Sequence, residues 1–132
     1  MIVDTSAIIA ILRNEPTGSR CAGILAEAEA VRISAATYLE AAIVVDGSRD
    51  PVLSGQFDEL IAAVEMVIEP VTAHLADLAR EAYRMFGRGS GHPAKLNFGD
   101  CFVYALATES GDSLLFVGDD FTQTDIRAAV DW

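Results

Sequence analysis

Short apolar runs alternate with longer helical segments along the chain, and this alternation constrains the fold more than any other feature. Residues 1–4, 31–33, 66–71 and 114–117 form brief runs rich in Ile, Val and Leu, which predicts four buried strands. The segments between them carry apolar residues at helical spacing. Strands alternating with helices build parallel sheets covered on both faces. We therefore predict an α/β/α sandwich with a central, mainly parallel sheet of four to five strands, with residues 126–130 as a fifth, edge strand.

Six helices are predicted between the strands, and local signals mark several of their ends. The helices cover approximately residues 7–12, 19–29, 34–45, 56–64, 72–86 and 98–108. Thr5 or Ser6 is expected to cap the first helix, and Ser34 and Thr72 are expected to cap the third and fifth. Gly111 is expected to end the last helix, because glycine readily adopts the left-handed conformation found there.

Composition limits the number of domains and the classes of function. The chain has 132 residues, 52% of them hydrophobic and 22% charged, so we expect one domain over residues 1–132 with its own core. The formal net charge of −11 argues against nucleic-acid binding, because phosphate contacts need a basic surface. Acids gathered at a cation site, or positive charge supplied by a partner subunit, would remove this conflict. An acidic surface that only improves solubility is the alternative.

The cysteines and the apolar runs indicate the cellular compartment. Cys21 and Cys101 lie outside any CxxC or Cys/His cluster, so buried free thiols are expected rather than a zinc site. Met1 to Asp4 lack the basic segment of a signal peptide. No run reaches the roughly 18 apolar residues that a membrane span requires. These features predict a cytoplasmic protein without a membrane partner.

Acidic residues follow two of the predicted strands and interrupt two apolar helices. Asp4 ends the first strand, and Asp119 and Asp120 follow the fourth. Glu40 lies within the helix after the second strand, and Asp100 lies in the first turn of the last helix. Binding sites of parallel α/β sheets form at the carboxyl ends of the strands. These acids therefore meet if the first and fourth strands are neighbours.

Each of these acids also has a purely structural interpretation. Asp4 can cap the helix that follows it, Asp100 can complement a helix dipole, and Glu40 can lie on a solvated helix surface. Together, however, three acids in apolar sequence without basic neighbours are costly unless they are paired, protonated or bound to a cation. With Asp119 or Asp120 they supply the oxygen ligands that Mg²⁺ and Mn²⁺ prefer. Such ions bind substrate phosphates, so the acids favour metal-dependent phosphoryl chemistry.

Four segments, in a fixed order, carry a resemblance to a known family. They are MIVDTSAIIAIL, SAATYLEAAIV, LNFGDCFVYALA and LLFVGDDFTQTDI. With these segments the chain resembles PIN-domain ribonucleases and, more narrowly, the VapC toxins of VapBC toxin–antitoxin pairs. The resemblance covers nearly the whole chain. It implies an endoribonuclease that uses Mg²⁺ or Mn²⁺ to cleave single-stranded RNA or exposed loops of structured RNA.

The resemblance also implies roles for individual acids. Asp4, Glu40 and Asp100 match the first three acids of the family, with Asp4 and Asp100 expected to ligate the metal directly. The fourth acid is Asp119 or Asp120, and Asp120 is favoured because it precedes an aromatic residue. Glu40 and Asp120 are expected to bind through water, or to hold and deprotonate the attacking water, at a site for one metal ion or two.

Polar residues beside these acids are expected to support them. Thr5 and Ser6 match the hydroxyls that follow the first acid of the family, which hydrogen-bond carboxylates or water. Asn97 matches a polar residue placed one turn before the third acid.

Three basic residues flank the expected site in sequence. Arg13 follows the first helix, and Arg88 and Lys95 lie at either end of a glycine-rich loop. This loop can cradle RNA phosphates through its side chains and backbone amides, or it can be an ordinary solvated loop. His92, within the loop, is too isolated in sequence to be assigned as a catalytic base.

The resemblance implies partners besides RNA. A VapB-like antitoxin is expected to wrap the toxin and to place an arginine or another side chain among the carboxylates. The apolar helical surface around residues 8–12 and 44–57 is expected to form its groove. A homodimer is also expected, together with toxin–antitoxin assemblies of higher order.

Two other functions are compatible with the acids. The first is another metal-dependent activity of the same fold, that of a phosphodiesterase, a phosphatase or a DNA nuclease. The second is an inactive interaction module whose acids bind a structural cation or a basic peptide. Substrate cleavage in the presence of a divalent metal ion separates these functions from an RNA nuclease.

Overall fold

Four short parallel strands form one sheet at the centre of the computed structural model, which describes residues 1–132. In chain order the strands are β1 (Ile2–Val3), β2 (Arg32–Ser34), β3 (Val67–Glu69) and β4 (Leu114–Leu115). They lie in the order β3-β2-β1-β4, and every neighbouring pair is parallel. The predicted parallel sheet is confirmed, and the first and fourth strands are neighbours.

The predicted fifth strand is wrong. Residues 126–130 contribute only an isolated parallel bridge, between Leu114 and Ala128. Strand β4 is two residues long, so it offers few backbone groups to an additional neighbour. The third strand is also shorter than the expected 66–71, because it ends before Pro70, whose nitrogen has no hydrogen to donate.

Six helices cover the sheet. They are α1 (Thr5–Leu12), α2 (Gly18–Glu27), α3 (Ala35–Gly47), α4 (Pro51–Ala63), α5 (Ala73–Phe86) and α6 (Phe98–Ser110). The side chains of Ser34 and Thr72 cap α3 and α5 as predicted. Gly111 ends α6 in the left-handed conformation, with φ of 68°.

Helix α4 begins five residues before its predicted start at residue 56. The side chain of Asp50 accepts the backbone N–H groups of Val52 and Leu53, and Pro51 stands in the first turn. Proline suits this position because a first-turn nitrogen has no partner within the helix. The sequence Arg49-Asp50-Pro51, which resembles a turn, is therefore a helix start.

The two faces of the sheet pack against different helices. Ile2 and Leu114 join a buried cluster with α5 and α6, whereas Val3 and Leu115 join a second cluster with α1 to α4. This division follows from the alternation of side chains along a strand. The three-layer α/β/α arrangement is confirmed.

Two apolar residues of α3 do not cover the core, although their spacing is typical of a buried helix face. Leu39 and Ile43 are 57% and 62% exposed. They are four residues apart and so share one helix face, whereas Ala41 and Val45 take the buried face.

Cys21 and Cys101 are both free and buried, as predicted. None of the six helices combines the length and apolar character needed to cross a bilayer.

Candidate active site

Asp4 stands between β1 and α1 and caps the helix. Its backbone is extended, with φ of −91° and ψ of 156°, as a residue just before a helix requires. Oδ2 of Asp4 accepts the N–H of Ser6 at 3.0 Å and the hydroxyl of Ser6 at 2.6 Å. The expectation that Thr5 or Ser6 caps α1 is therefore wrong, because both residues already lie inside the helix.

Ser6 links the ends of two neighbouring strands. Its hydroxyl donates to Asp4 and accepts the backbone N–H of Val117 at 3.0 Å. Val117 follows β4, so this single side chain ties the carboxyl ends of β1 and β4 together. The position of Asp4 is consequently fixed relative to the segment that carries Asp119 and Asp120.

Glu40 approaches the same place from α3. It is half-buried, and its Oε1 accepts the hydroxyl of Thr5 at 2.7 Å. Thr5 is the first residue of α1 and its hydroxyl does not cap the helix, so it is free to make this contact. The bond joins two helices that begin after neighbouring strands.

Asp100 is held by a capping box at the start of α6. Its backbone N–H donates to Oδ1 of Asn97 at 2.9 Å, and its Oδ2 accepts the N–H of Asn97 at 3.0 Å. The two reciprocal bonds fix the carboxylate of Asp100 and satisfy two donors of the first helical turn. Asn97 thus lies beside the third acid as its N-cap residue.

These acids line one cleft of about 360 Å³ at the carboxyl ends of β1 and β4. Asp120 belongs to this cleft, whereas Asp119 does not. Asp119 is exposed, and its carbonyl accepts the N–H and hydroxyl of Thr122 in a turn. The full lining is Asp4, Thr5, Ser6, Ile9, Glu15, Glu40, Asn97, Asp100, Val117 and Asp120.

Sequence reasoning missed Glu15. The chain turns at Asn14, whose φ is 51°, and the N–H of Glu15 donates to the carbonyl of Ala10 at 2.9 Å. This turn brings a fifth carboxylate to the cleft. In sequence Glu15 sits in a polar, proline-containing break, where an acid on a solvated loop is the ordinary expectation.

Burial and mutual repulsion set the protonation of the two deepest acids. Asp4 is 7% exposed and Asp100 is 9% exposed. Loss of hydration raises the pKa of Asp4 above its usual value, although the hydrogen bonds from Ser6 oppose the shift. Burial, followed by the charges of Asp120, Asp4 and Glu40, raises the pKa of Asp100 to about 6.

No basic side chain neutralises the cleft. The ion pairs of the chain lie elsewhere, joining Asp112 to the amino terminus, Arg32 to Glu69 and Asp112, and His74 to Glu109. Buried carboxylates without a cationic partner are unfavourable. Protonation or a bound cation is the remaining source of compensation.

The donor set suits a hard divalent ion. In Asp4, Glu40 and Asp100 one carboxylate oxygen is hydrogen-bonded to the protein, and the structure shows no hydrogen bond to the other. No three His, Cys, Asp or Glu side chains are arranged so that all of them hold one ion directly. Mg²⁺ commonly takes only one or two carboxylates and keeps several waters. The residues present therefore fit such an ion with part of its ligand shell supplied by water.

The basic residues lie apart from the carboxylates. Arg88 and Lys95 line a separate depression of about 520 Å³ formed by the glycine-rich loop, and Arg13 lines neither cavity. His92 lies in this loop as well, where its Nδ1 accepts the N–H of Ala94 at 3.1 Å and its ring packs edge-on against Phe86. These contacts give His92 a structural role within the loop.

Comparison with known proteins identifies relatives for nearly the whole chain. A family model described as PIN domain matches residues 1–127. Ribonuclease VapC28 of Mycobacterium tuberculosis is 58% identical over 131 residues, which cover 99% of this chain and 98% of that protein.

Two solved structures share the fold. The crystal structure of M. tuberculosis VapC20, described as a Sarcin-Ricin loop cleaving toxin, superposes with a TM-score of 0.72 at 19% identity and covers 95% of each chain. A toxin–antitoxin complex from Klebsiella pneumoniae gives a TM-score of 0.67 at 16% identity, covering 91% of this chain and 88% of that one.

Proposed function

The chain belongs to the VapC ribonuclease toxins of the PIN-domain family, and on this premise we propose that it hydrolyses RNA at the carboxylate cleft with Mg²⁺ or Mn²⁺. The observation that supports this proposal is the unpaired state of the cleft. Asp4, Glu40, Asp100 and Asp120 line one cavity, and none of them forms an ion pair with a basic residue. We treat residues 1–132 as one nuclease unit.

The acids divide into two roles. Asp4 and Asp100, the most buried pair, would hold the metal ion directly, with orientation supplied by Ser6 and Asn97. The bound ion would lower the pKa of the attacking water and offset the charge that develops on the phosphate. Oε2 of Glu40 accepts no protein hydrogen bond, so it is available to take the proton of that water. Asp120 would hold the water from the segment that follows β4.

Because the protein is acidic overall, RNA binding requires local positive charge on its surface near the carboxylate cleft. Arg88 and Lys95 form no ion pair and line a polar depression, so they are free to contact phosphates. The loop leads through Leu96 directly to Asn97, which lines the carboxylate cleft. Arg13, exposed at the end of α1, is a third proposed contact.

An antitoxin partner fits the exposed apolar surface of α3 and α4. Leu39, Ile43 and Val52 are all more than half exposed, although their side chains are apolar. We infer that a VapB-like antitoxin packs on this surface and in the adjoining groove predicted at residues 8–12 and 44–57, and reaches the acids with a cationic side chain. Replacement of Leu39 and Ile43 by Ser should weaken antitoxin binding without slowing RNA cleavage.

A homodimer fits a second apolar surface. Phe98 is 81% exposed and Tyr83 is 49% exposed, beside an apolar depression of about 450 Å³ between α5 and α6. Sedimentation of the free toxin tests whether it is a homodimer. Sedimentation of the toxin with its antitoxin tests whether a larger assembly forms.

We place the protein in the cytoplasm, where its RNA substrate occurs and where free thiols such as Cys21 and Cys101 stay reduced.

The proposed activity is tested with matched substrates. The purified protein is incubated with an RNA, a DNA of the same sequence and a phosphomonoester, in Mg²⁺, in Mn²⁺ and in EDTA. Cleavage of RNA alone, abolished by EDTA, is the expected result. Equal cleavage of DNA, or hydrolysis of the monoester, would favour a broader phosphodiesterase or phosphatase. Metal-dependent stability without cleavage of any substrate would favour a cation-binding module.

A further inference from the structure

Gly99 occupies a position where a glycine has no conformational reason to be. It is the second residue of α6, between Phe98 and Asp100, and it is absent from the residues with positive φ. Glycine is among the least favourable residues inside a helix. The surroundings of Gly99 supply a steric reason instead, because a side chain here would fill space that another group already occupies.

The carboxylate of Glu40 occupies that space. A Cβ built on Gly99 would lie 3.0 Å from Cδ of Glu40 and closer still to Oε2. By contrast, a Cβ on Gly23 in α2 or on Gly55 in α4 would meet nothing within 4 Å. The atom displaced is the end of a flexible side chain, so an added methyl group would move Glu40 rather than the backbone.

Glu40 is thus confined from two sides. Thr5 donates to its Oε1 at 2.7 Å, while its Oε2 lies against the first turn of α6 at Gly99. The partial positive charge at the start of a helix favours a carboxylate there. Asp100 follows Gly99 directly, so this placement also brings Glu40 beside a proposed metal ligand, and the two charges repel one another.

We propose that Gly99 is a positioning residue whose missing side chain reserves the place of the Glu40 carboxylate beside Asp100. Gly99 itself touches neither the metal ion nor RNA. The proposal rests on the proposed function, because it gives Gly99 importance only through the role of Glu40.

The test is a double-mutant cycle with Gly99→Ala and Glu40→Ala, with Gly23→Ala as the matched control. RNA cleavage, Mn²⁺ affinity by calorimetry and the thermal midpoint of the metal-free protein are measured for each variant. Gly99→Ala should slow cleavage about tenfold or more and weaken Mn²⁺ binding, as loss of an orienting contact does. Gly23→Ala should leave cleavage and Mn²⁺ affinity unchanged.

The coupling between the two substitutions shows whether Gly99 positions Glu40 or has only a general structural role. In the Glu40→Ala background the added methyl group has nothing to displace, so Gly99→Ala should change neither cleavage nor Mn²⁺ affinity further. If Gly99→Ala alone does not fold, the double variant should still fold, with a thermal midpoint at or above that of Glu40→Ala because alanine favours the helix, and this shows the same coupling. The proposal would be overturned if Gly99→Ala cleaved RNA and bound Mn²⁺ as the wild type does. It would also be overturned if Gly99→Ala caused the same loss of Mn²⁺ affinity with and without Glu40. Full activity of Glu40→Ala would instead contradict the proposed role of Glu40 in the cleft.

Discussion

Ser6 lies between Asp4 and the chain that follows β4, and its hydroxyl bonds to both. It donates to Oδ2 of Asp4 at 2.6 Å and accepts the N–H of Val117 at 3.0 Å. One hydroxyl therefore orients the first acid and fixes the distance between two strand ends. The carboxylate cleft depends on this connection because its five acids come from five separate segments of the chain.

Replacement of Ser6 by Ala should impair both stability and activity. The N–H of Val117 loses its partner in a partly buried place, which costs about 1–3 kcal/mol. Asp4 keeps the backbone N–H of Ser6 but loses the hydroxyl, so metal affinity or cleavage should fall about 10- to 100-fold. Urea unfolding and RNA cleavage are the measurements. Ser19→Ala, at an exposed site of α2, is the control, and an equal effect there would contradict the assigned role.

The metal-free protein should lose stability as pH rises through the titration of Asp100. Burial raises the pKa of Asp100 from 3.8 to about 6, so the native state keeps this proton to a higher pH than the unfolded chain does. Its favourable contribution is complete below 3.8 and is lost as pH rises through about 6. Asp100→Asn preserves an acceptor for Asn97 and removes the titration.

Urea unfolding in EDTA at several pH values measures this contribution. The free energy of unfolding of the wild type, relative to Asp100→Asn, should decline between pH 4 and pH 7, since titrations shared by both proteins cancel. A difference that stays constant, or that grows with pH, would show that the environment of Asp100 does not oppose its charge.

Divalent metal should stabilise the wild type at neutral pH. An ion that binds only the native state, present at tenfold its Kd, adds about 1.4 kcal/mol to the free energy of unfolding. Asp4→Asn and Asp100→Asn should show little of this gain, because each removes a proposed ligand. The thermal midpoint with Mn²⁺ and with NaCl of equal ionic strength is the measurement. An identical rise in all three proteins would place the ion elsewhere.

Charge removal at the glycine-rich loop should weaken RNA binding more at low salt than at high salt. Each phosphate contact to a single strand contributes about 0.7 to the slope of log affinity against log salt. Replacing Arg88 and Lys95 by Gln should therefore lower the slope by about 1.4, measured with an inactive Asp100→Asn background. Arg127→Gln is the control, because Arg127 shares its depression with Asp112 and Asp125. An unchanged slope would exclude Arg88 and Lys95 from the RNA interface.

The parts of this molecule that the sequence predicts are those decided by local chemistry. The caps at Ser34 and Thr72, the glycine at residue 111 and the alternation of strands with helices each depend on a few neighbouring residues. They were predicted correctly for that reason. Asp4, Glu40 and Asp100 stood out because each is an acid within an apolar segment, which local sequence also reveals.

The parts that were missed depend on long-range contacts. Glu15 looks like any loop acid until the turn at Asn14 brings it to the cleft. The sequence favours Asp120 over Asp119 but leaves the choice open, because it depends on which of the two loop residues faces the cleft. The steric reason for glycine at residue 99 comes only from Glu40 on another helix. The exposure of Leu39 and Ile43 depends on the absence of any helix above them, which periodicity does not show.

The most direct measurement is RNA cleavage by isosteric Asp-to-Asn variants of neighbouring acids. Asp100→Asn and Asp120→Asn remove charge from the cleft, whereas Asp119→Asn removes the same charge one residue outside it. The first two should lose about 100-fold or more of the wild-type rate, and Asp119→Asn should stay close to it. Wild-type cleavage by Asp100→Asn, or a loss confined to Asp119→Asn, would contradict the assignment of this cleft as the active site.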